Sequence, residues 1–182
     1  MGIYQMEKKL FKSISYMKFA FTGPESSGKT TLSKEISELF NGEYFPEYAR
    51  EFLTNTNGFY SQNDLDVIAK RQIESWISHS NLDQFYDTEI LVIEVWSEFK
   101  YNSCSELIIN LVQQQQIDHY FLCSPDIPYE EDPLRECPEQ REELFEIYLQ
   151  KLKKYKFPFT IIKGTHSERI KKTSEIILTL SK

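Results

Sequence analysis

Apolar residues along the chain fall into short β-like runs that alternate with stretches at helical spacing. Residues 18–22 form the first run. Leu32, Ile36, Leu39 and Phe40 then share one face of a helix that Asn41-Gly42 stops. Residues 43–47 read as a short second strand with a proline near its end, and residues 48–53 turn helical. After a loop at 55–58, Ser61 with Asp64 three residues on gives a capping-box-like start to a further helix. That helix carries Leu65, Ile68, Ala69, Gln72, Ile73 and Trp76 and fades near residues 79–81.

The next stretch supports two readings. Ile90-Leu91-Val92-Ile93-Glu94-Val95 is an apolar run with a closing acid, the pattern of a buried strand whose acid, Glu94, would stand on the magnesium side of a phosphate site. Alternatively, residues 83–86 form a short strand ending at Asp87-Thr88-Glu89, and the apolar residues belong to the following helix. Leu91, Val92, Val95, Trp96 and Phe99 then share a broad face, with Glu94 and Glu98 on another. Pattern alone leaves the two open.

Residues 103–116 form a second helical segment with Leu107, Ile108, Leu111 and Val112 buried, and 118–123 a strong strand. Residues 124–135 are too rich in proline and charge for core. A long helix follows from about 138 to 155, then a strand at 159–164 ending in a glycine loop, then a closing helix capped by Ser167. This alternation predicts an α/β fold: a parallel sheet covered on both faces, its ligand at the carboxyl ends of the strands.

Length suits one domain, residues 17–182, behind an N-terminal extension at 1–16. The net charge of −7 supplies no global field for a nucleic-acid backbone, so no nucleic-acid partner is expected. The densest basic stretch, 151–156, reads as the solvated face of a helix. Cys104, Cys123 and Cys137 are an odd count without metal or disulfide spacing, which points to a reducing cytoplasm. No stretch approaches a membrane span.

The chemistry centres on Gly23-Pro24-Glu25-Ser26-Ser27-Gly28-Lys29-Thr30, which fits the Walker A pattern G-x-x-x-x-G-K-[ST] between a strand and a helix. Its glycines let successive N–H groups turn toward phosphate oxygens at a helix N-terminus. Lys29 would bring a charge to the β- and γ-phosphates of ATP, and the Thr30 hydroxyl would be a ligand of Mg²⁺, with Thr31 completing the loop. Glu47 and Arg50 follow the second strand, within reach of an acceptor or a phosphate. Arg135 and Arg141 flank the polar segment, read as a lid over ATP; Arg135 would neutralise charge on the transferred group, while Arg141 reads as a solvated face residue. Gly164 and Arg169 follow the last strand, on the side where adenine would sit, and His166 reads as exposed rather than catalytic.

GPESSGKTTL, PEYAREFL, YDTE followed by VWSEFKY, and SPDIPYEEDPLR, in this order, resemble the ribosylnicotinamide kinase domain of NadR proteins and its free-standing P-loop relatives. The resemblance runs over nearly everything from Met17 on. It implies a P-loop NTPase three-layer α/β/α sandwich with a five-stranded parallel sheet, nucleoside-kinase-like with a lid. The activity it implies is transfer of the γ-phosphoryl of ATP to the 5′-hydroxyl of nicotinamide riboside, a small-molecule nucleoside. An ATP-occupancy sensor without rapid turnover is the alternative. The family motif is an acid-Thr-acid triplet closing a strand, so it favours Asp87 over Glu94. Asp87 would then orient the acceptor hydroxyl and take its proton, or hold a water of Mg²⁺. Glu89 stands where the family usually has aspartate and would meet ribose hydroxyls. Tyr129 stands where relatives often carry tryptophan and would stack on the nicotinamide ring.

Overall fold

The computed structural model describes residues 16–78, 81–135 and 137–181; the expected extension at 1–16, apart from Tyr16, and the expected helix end at His79 and Ser80 lie outside them. Five strands, β1 (Lys18–Thr22), β2 (Glu43–Phe45), β3 (Gln84–Asp87), β4 (His119–Cys123) and β5 (Phe159–Ile162), pair in parallel in the order β2-β3-β1-β4-β5. Among the described residues the helices are α1 (Lys29–Leu39), α2 (Tyr48–Asn55), α3 (Gln62–Ser75), α4 (Ile90–Tyr101), α5 (Glu106–Gln114), α6 (Arg141–Tyr155) and α7 (His166–Leu180).

The period of two along each strand builds the layers. Phe19, Phe21, Phe85 and Phe121 project to one face of the sheet and pack with Leu32 and Ile36 of α1 and Ile177 of α7. Ala20, Tyr86, Tyr120 and Leu122 project to the other, into the larger core closed by α3, α4, α5 and α6. Chain order reverses beside β1: β3 pairs with it on one side and β4 on the other. Loops leaving these strands therefore diverge at their carboxyl ends and open a crevice there.

The structure resolves the two readings of 83–95. β3 ends at Asp87, in register with Phe21, and the apolar run is helix α4, so Glu94 is not a strand-closing acid. α4 packs on α3, α5 and α6, which explains why it is apolar nearly all round. Glu94 is instead buried in an ion cluster: Lys151 Nζ lies 2.7 Å from its Oε1 and 2.8 Å from Glu98 Oε2, and the Tyr155 hydroxyl donates to Glu94 at 2.8 Å. Lys151 thus leaves the solvated face expected for 151–156, because it lies one turn from buried Tyr148; Lys153, Lys154 and Lys156 remain exposed. The closing helix is capped by Thr165 rather than Ser167, since Thr165 and Glu168 form a complete capping box. The α3 box of Ser61 and Asp64 is present as expected.

Candidate active site

The loop from Gly23 to Gly28 leaves β1 and enters α1 in a conformation that its residues impose. Gly23 has φ 130° and passes so close to β4 that a Cβ would stand 2.6 Å from the Cys123 carbonyl oxygen. Gly28, the N-cap of α1, has φ 79°. Ser26 also sits in the left-handed region, at φ 52°. Inside the loop, Ser27 Oγ and Lys29 Nζ each donate to the Pro24 carbonyl at 2.7 Å.

Two arginines hold this loop from outside. Arg169, buried on α7, donates to the Ser27 carbonyl at 2.8 Å, the Ser124 carbonyl at 2.9 Å and the Gly164 carbonyl at 2.9 Å, and it pairs with Asp126. Arg141 donates to the Ser26 carbonyl at 2.9 Å and to those of Pro125 and Ile127 at 3.0 Å. Arg141 is therefore not the solvated helix residue that its spacing suggested. With consecutive carbonyls drawn outward to guanidinium groups, the peptide N–H groups between them are free to face inward, as an anion cradle requires.

A cavity of about 380 Å³ opens over the cradle. Residues 23–31 form its floor, and Glu47, Arg50 and Arg135 bring charge to it. Val92, Val95, Trp96 and Phe99 of α4 and Leu144 and Tyr148 of α6 build an apolar wall. Such a cavity, apolar with a few convergent charges, suits a small organic ligand with an anionic end. The α4 face was legible in the sequence as a helical stripe, but its half-exposed members, Val92, Trp96 and Phe99, line the cavity as well as packing on the core. His166 lines the rim, pairs with Glu35 at 2.7 Å and is 53% exposed, as its reading anticipated.

Asp87, Glu89, Tyr129 and Gly164 do not line the cavity. Asp87 is buried at the end of β3; its Oδ2 accepts from the Tyr44 hydroxyl at 3.2 Å, and its Oδ1 is buried without a protein partner. Burial raises its pKa, against the opposing pull of Thr30 and Lys29, which places both residues of the loop beside it. Thr88 follows in a left-handed conformation at φ 68°, rare for a β-branched residue, and donates its N–H to Phe21. Glu89 caps α4, accepting from Leu91 N–H at 2.6 Å and from Gln115 at 3.0 Å; burial pushes its carboxyl up to about 7. It is shut beneath the helix, not presented to a ligand. Tyr129 lies over the guanidinium groups of Arg135 and Arg141, 6.0 and 5.7 Å from its ring centre. Gly164 belongs to an outer groove and donates to Asp126 at 2.7 Å.

Glu47 enters the cavity from the end of β2. Burial pushes its carboxyl up to about 7, and the charge of Asp87 adds to this while Lys29 opposes it. Arg50 is drawn toward the lid, pairing with Asp132 at 2.5 Å.

The donors beside the loop fit a hard cation. Thr30 offers a hydroxyl, and Asp87 Oδ1 is a buried carboxylate oxygen without a hydrogen-bond partner among the described residues. Among the described residues no cluster of three or more His, Cys, Asp or Glu side chains forms a metal cage. Mg²⁺ at phosphate sites needs none, since it takes one or two protein oxygens and completes its shell with phosphate and water. No described helix is long and apolar enough to cross a membrane, and Cys104 and Cys123 are free thiols.

The fold is similar to those of a NadR protein and of deoxyadenosine kinase. A NadR protein in complex with NAD and AMP-PNP superposes with a TM-score of 0.66 at 19% identity, over 83% of this chain and 45% of that one. Deoxyadenosine kinase from M. mycoides superposes with a TM-score of 0.65 at 18% identity, over 90% of this chain and 100% of that one. In sequence, the trifunctional NAD biosynthesis/regulator proteins NadR of Salmonella typhimurium LT2 and Escherichia coli K12 are each 27% identical over 124 residues, 64% of this chain. The chain spans 30% of the length of these curated relatives. The model of the AAA domain family matches residues 18–169, from the first strand through the cradle to the arginine that braces it, and the chain belongs to that family.

Proposed function

We propose that residues 17–182 act as one kinase domain that transfers the γ-phosphoryl group of ATP to the 5′-hydroxyl of a nucleoside, with nicotinamide riboside the leading acceptor. The observation that carries this reading is the cavity itself. It joins a complete phosphate cradle to an apolar, aromatic wall of a size that a nucleoside fills, under a lid that carries Arg135. The likeness to NadR proteins, solved with NAD and AMP-PNP and also with NR, and to deoxyadenosine kinase, solved with dCMP and dCDP, supports a site that takes nucleotides and nucleosides.

Phosphoryl transfer depends on positioning and on neutralising charge. Lys29 Nζ, which donates to the Pro24 carbonyl inside the loop, would turn its charge to the β- and γ-phosphates. Thr30 and Asp87 would hold Mg²⁺, directly or through its water; the ion supplies neutralisation of the phosphate oxygens. Arg135 would add a second cation from the lid. The acceptor-side proton is better served by Glu47 than by Asp87, because Glu47 lines the cavity and its pKa of about 7 suits a base at neutral pH. Arg50 would orient the acceptor beside it.

A coupled assay of ADP release with Mg·ATP, with and without a panel of nucleosides, tests the reading. Stimulation by nicotinamide riboside supports it. ATP binding without stimulation by any nucleoside favours an occupancy sensor in its place.

A further inference from the structure

The signature assigns no role to the side chains at the variable positions of the G-x-x-x-x-G-K-T loop, yet two of them are hydrogen-bonded to residues more than a hundred positions away. Ser26 Oγ accepts from the Glu130 N–H at 2.9 Å, and Glu25 Oε1 accepts from the Cys137 N–H at 2.7 Å. These two amides bracket Arg135. The bracket is tightened from within: Arg135 donates its guanidinium to the Glu130 carbonyl, and its own N–H donates to Asp132 at 3.0 Å. Asp132 is in turn held by Arg50. The Arg135 guanidinium thus reaches the cavity from a short span whose ends hang on the phosphate loop.

We propose that Glu25 and Ser26 are positioning residues that aim Arg135 at the nucleotide phosphates. The inference rests on the reading of the cradle as a nucleotide site. Because one loop both cradles phosphate and carries the lid's anchors, ordering the loop with ligand also orders the anchors. Linkage requires the reverse as well, so a docked lid tightens the cradle. Arg141, bonded to Ser26 and to Pro125 and Ile127, adds a tie between the loop and the stretch that leads into this span.

The test compares Glu25→Ala with Glu25→Gln. Both remove the negative charge beside the phosphates, and the Gln variant keeps a carbonyl oxygen for the Cys137 N–H. Binding of a non-hydrolysable ATP analogue with Mg²⁺ is measured by calorimetry in each, alone and combined with Arg135→Met. A lost hydrogen bond of this kind corresponds to about a tenfold change, so the Ala variant is expected to bind about tenfold more weakly than the Gln variant. In the Arg135→Met background that difference is expected to collapse to within about twofold, the non-additivity that marks action through a shared residue. An equal Ala-to-Gln ratio in both backgrounds, or no ratio in either, overturns the proposal while leaving nucleotide binding intact. Failure of the unsubstituted protein to bind the analogue overturns the nucleotide reading itself. Amide exchange of Cys137 gives an independent check without ligand: exchange about tenfold faster in Glu25→Ala than in Glu25→Gln is expected, and equal rates overturn the proposal.

Discussion

Lys151→Met isolates the buried ion cluster between α4 and α6. The Lys151 side chain is 8% exposed and its partner Glu94 is 1% exposed, whereas Glu98 is 40% exposed and solvated on its own. Burial opposes the charge of Lys151, but the two carboxylates outweigh it and raise its pKa, so Lys151 keeps its charge at neutral pH. Removing one member of a buried pair leaves the other charge stranded, which costs about 3–5 kcal/mol. The lower end applies here because the Tyr155 hydroxyl still donates to Glu94 Oε1; the full loss is not expected, and Glu94 Oε2 already lacks a protein partner. The paired replacement Glu94→Met/Lys151→Met removes both charges and fills a similar volume, so it should recover stability to within about 1 kcal/mol of the parent. Urea unfolding at pH 7 measures both. A single variant that loses less than about 1 kcal/mol, or a double variant no more stable than the single, would refute the reasoning.

Three further outcomes are expected. Glu89 has a folded pKa near 7 against a reference of 4.5, so folding retains a proton that the unfolded chain releases, and its contribution turns unfavourable as pH rises through that window. Glu89→Gln should therefore gain up to about 3 kcal/mol at pH 8 and almost nothing at pH 4.5, with equal effects at the two pH values arguing against it. If Glu47 is the base, kcat/KM should rise with pH until about 7 and then level, and Glu47→Gln should abolish that rise; an unchanged profile in the variant would assign the base elsewhere. Arg169→Ala strips the carbonyls of Ser27, Ser124 and Gly164 of a buried donor and should cost about 3 kcal/mol or more in thermal unfolding, together with weaker nucleotide binding.

What the sequence discloses about this molecule follows the range of the interactions involved. The cradle, its flanking strand and helix, and the α3 capping box are encoded within a few residues, and each is where its local pattern put it. The run at 90–95 was ambiguous because a helix buried on three sides carries the same apolar residues as a buried strand. The family triplet pointed to Asp87 as the strand end, and the sheet register places it there. Ties between distant segments left no local mark. The pairing of Glu94 with Lys151 spans 57 positions, and the contact of Arg169 with the Ser27 carbonyl spans 142. A side chain bonding to backbone carbonyls is invisible to residue pattern, which is why Arg141 reads as a solvated residue and Arg169 as a residue on the adenine side, and neither as a brace of the loop. Tyr129 reads as a ring awaiting a ligand, but folding sets it against two guanidinium groups.

The most direct test of the central claim is product analysis after incubation with Mg·ATP and nicotinamide riboside. Chromatography should show one nucleoside 5′-monophosphate formed per ADP, and neither product above background with Lys29→Met. Bound ATP with no phosphorylated nucleoside, across nicotinamide riboside and the wider panel, would contradict the kinase account and leave only the phosphate cradle standing.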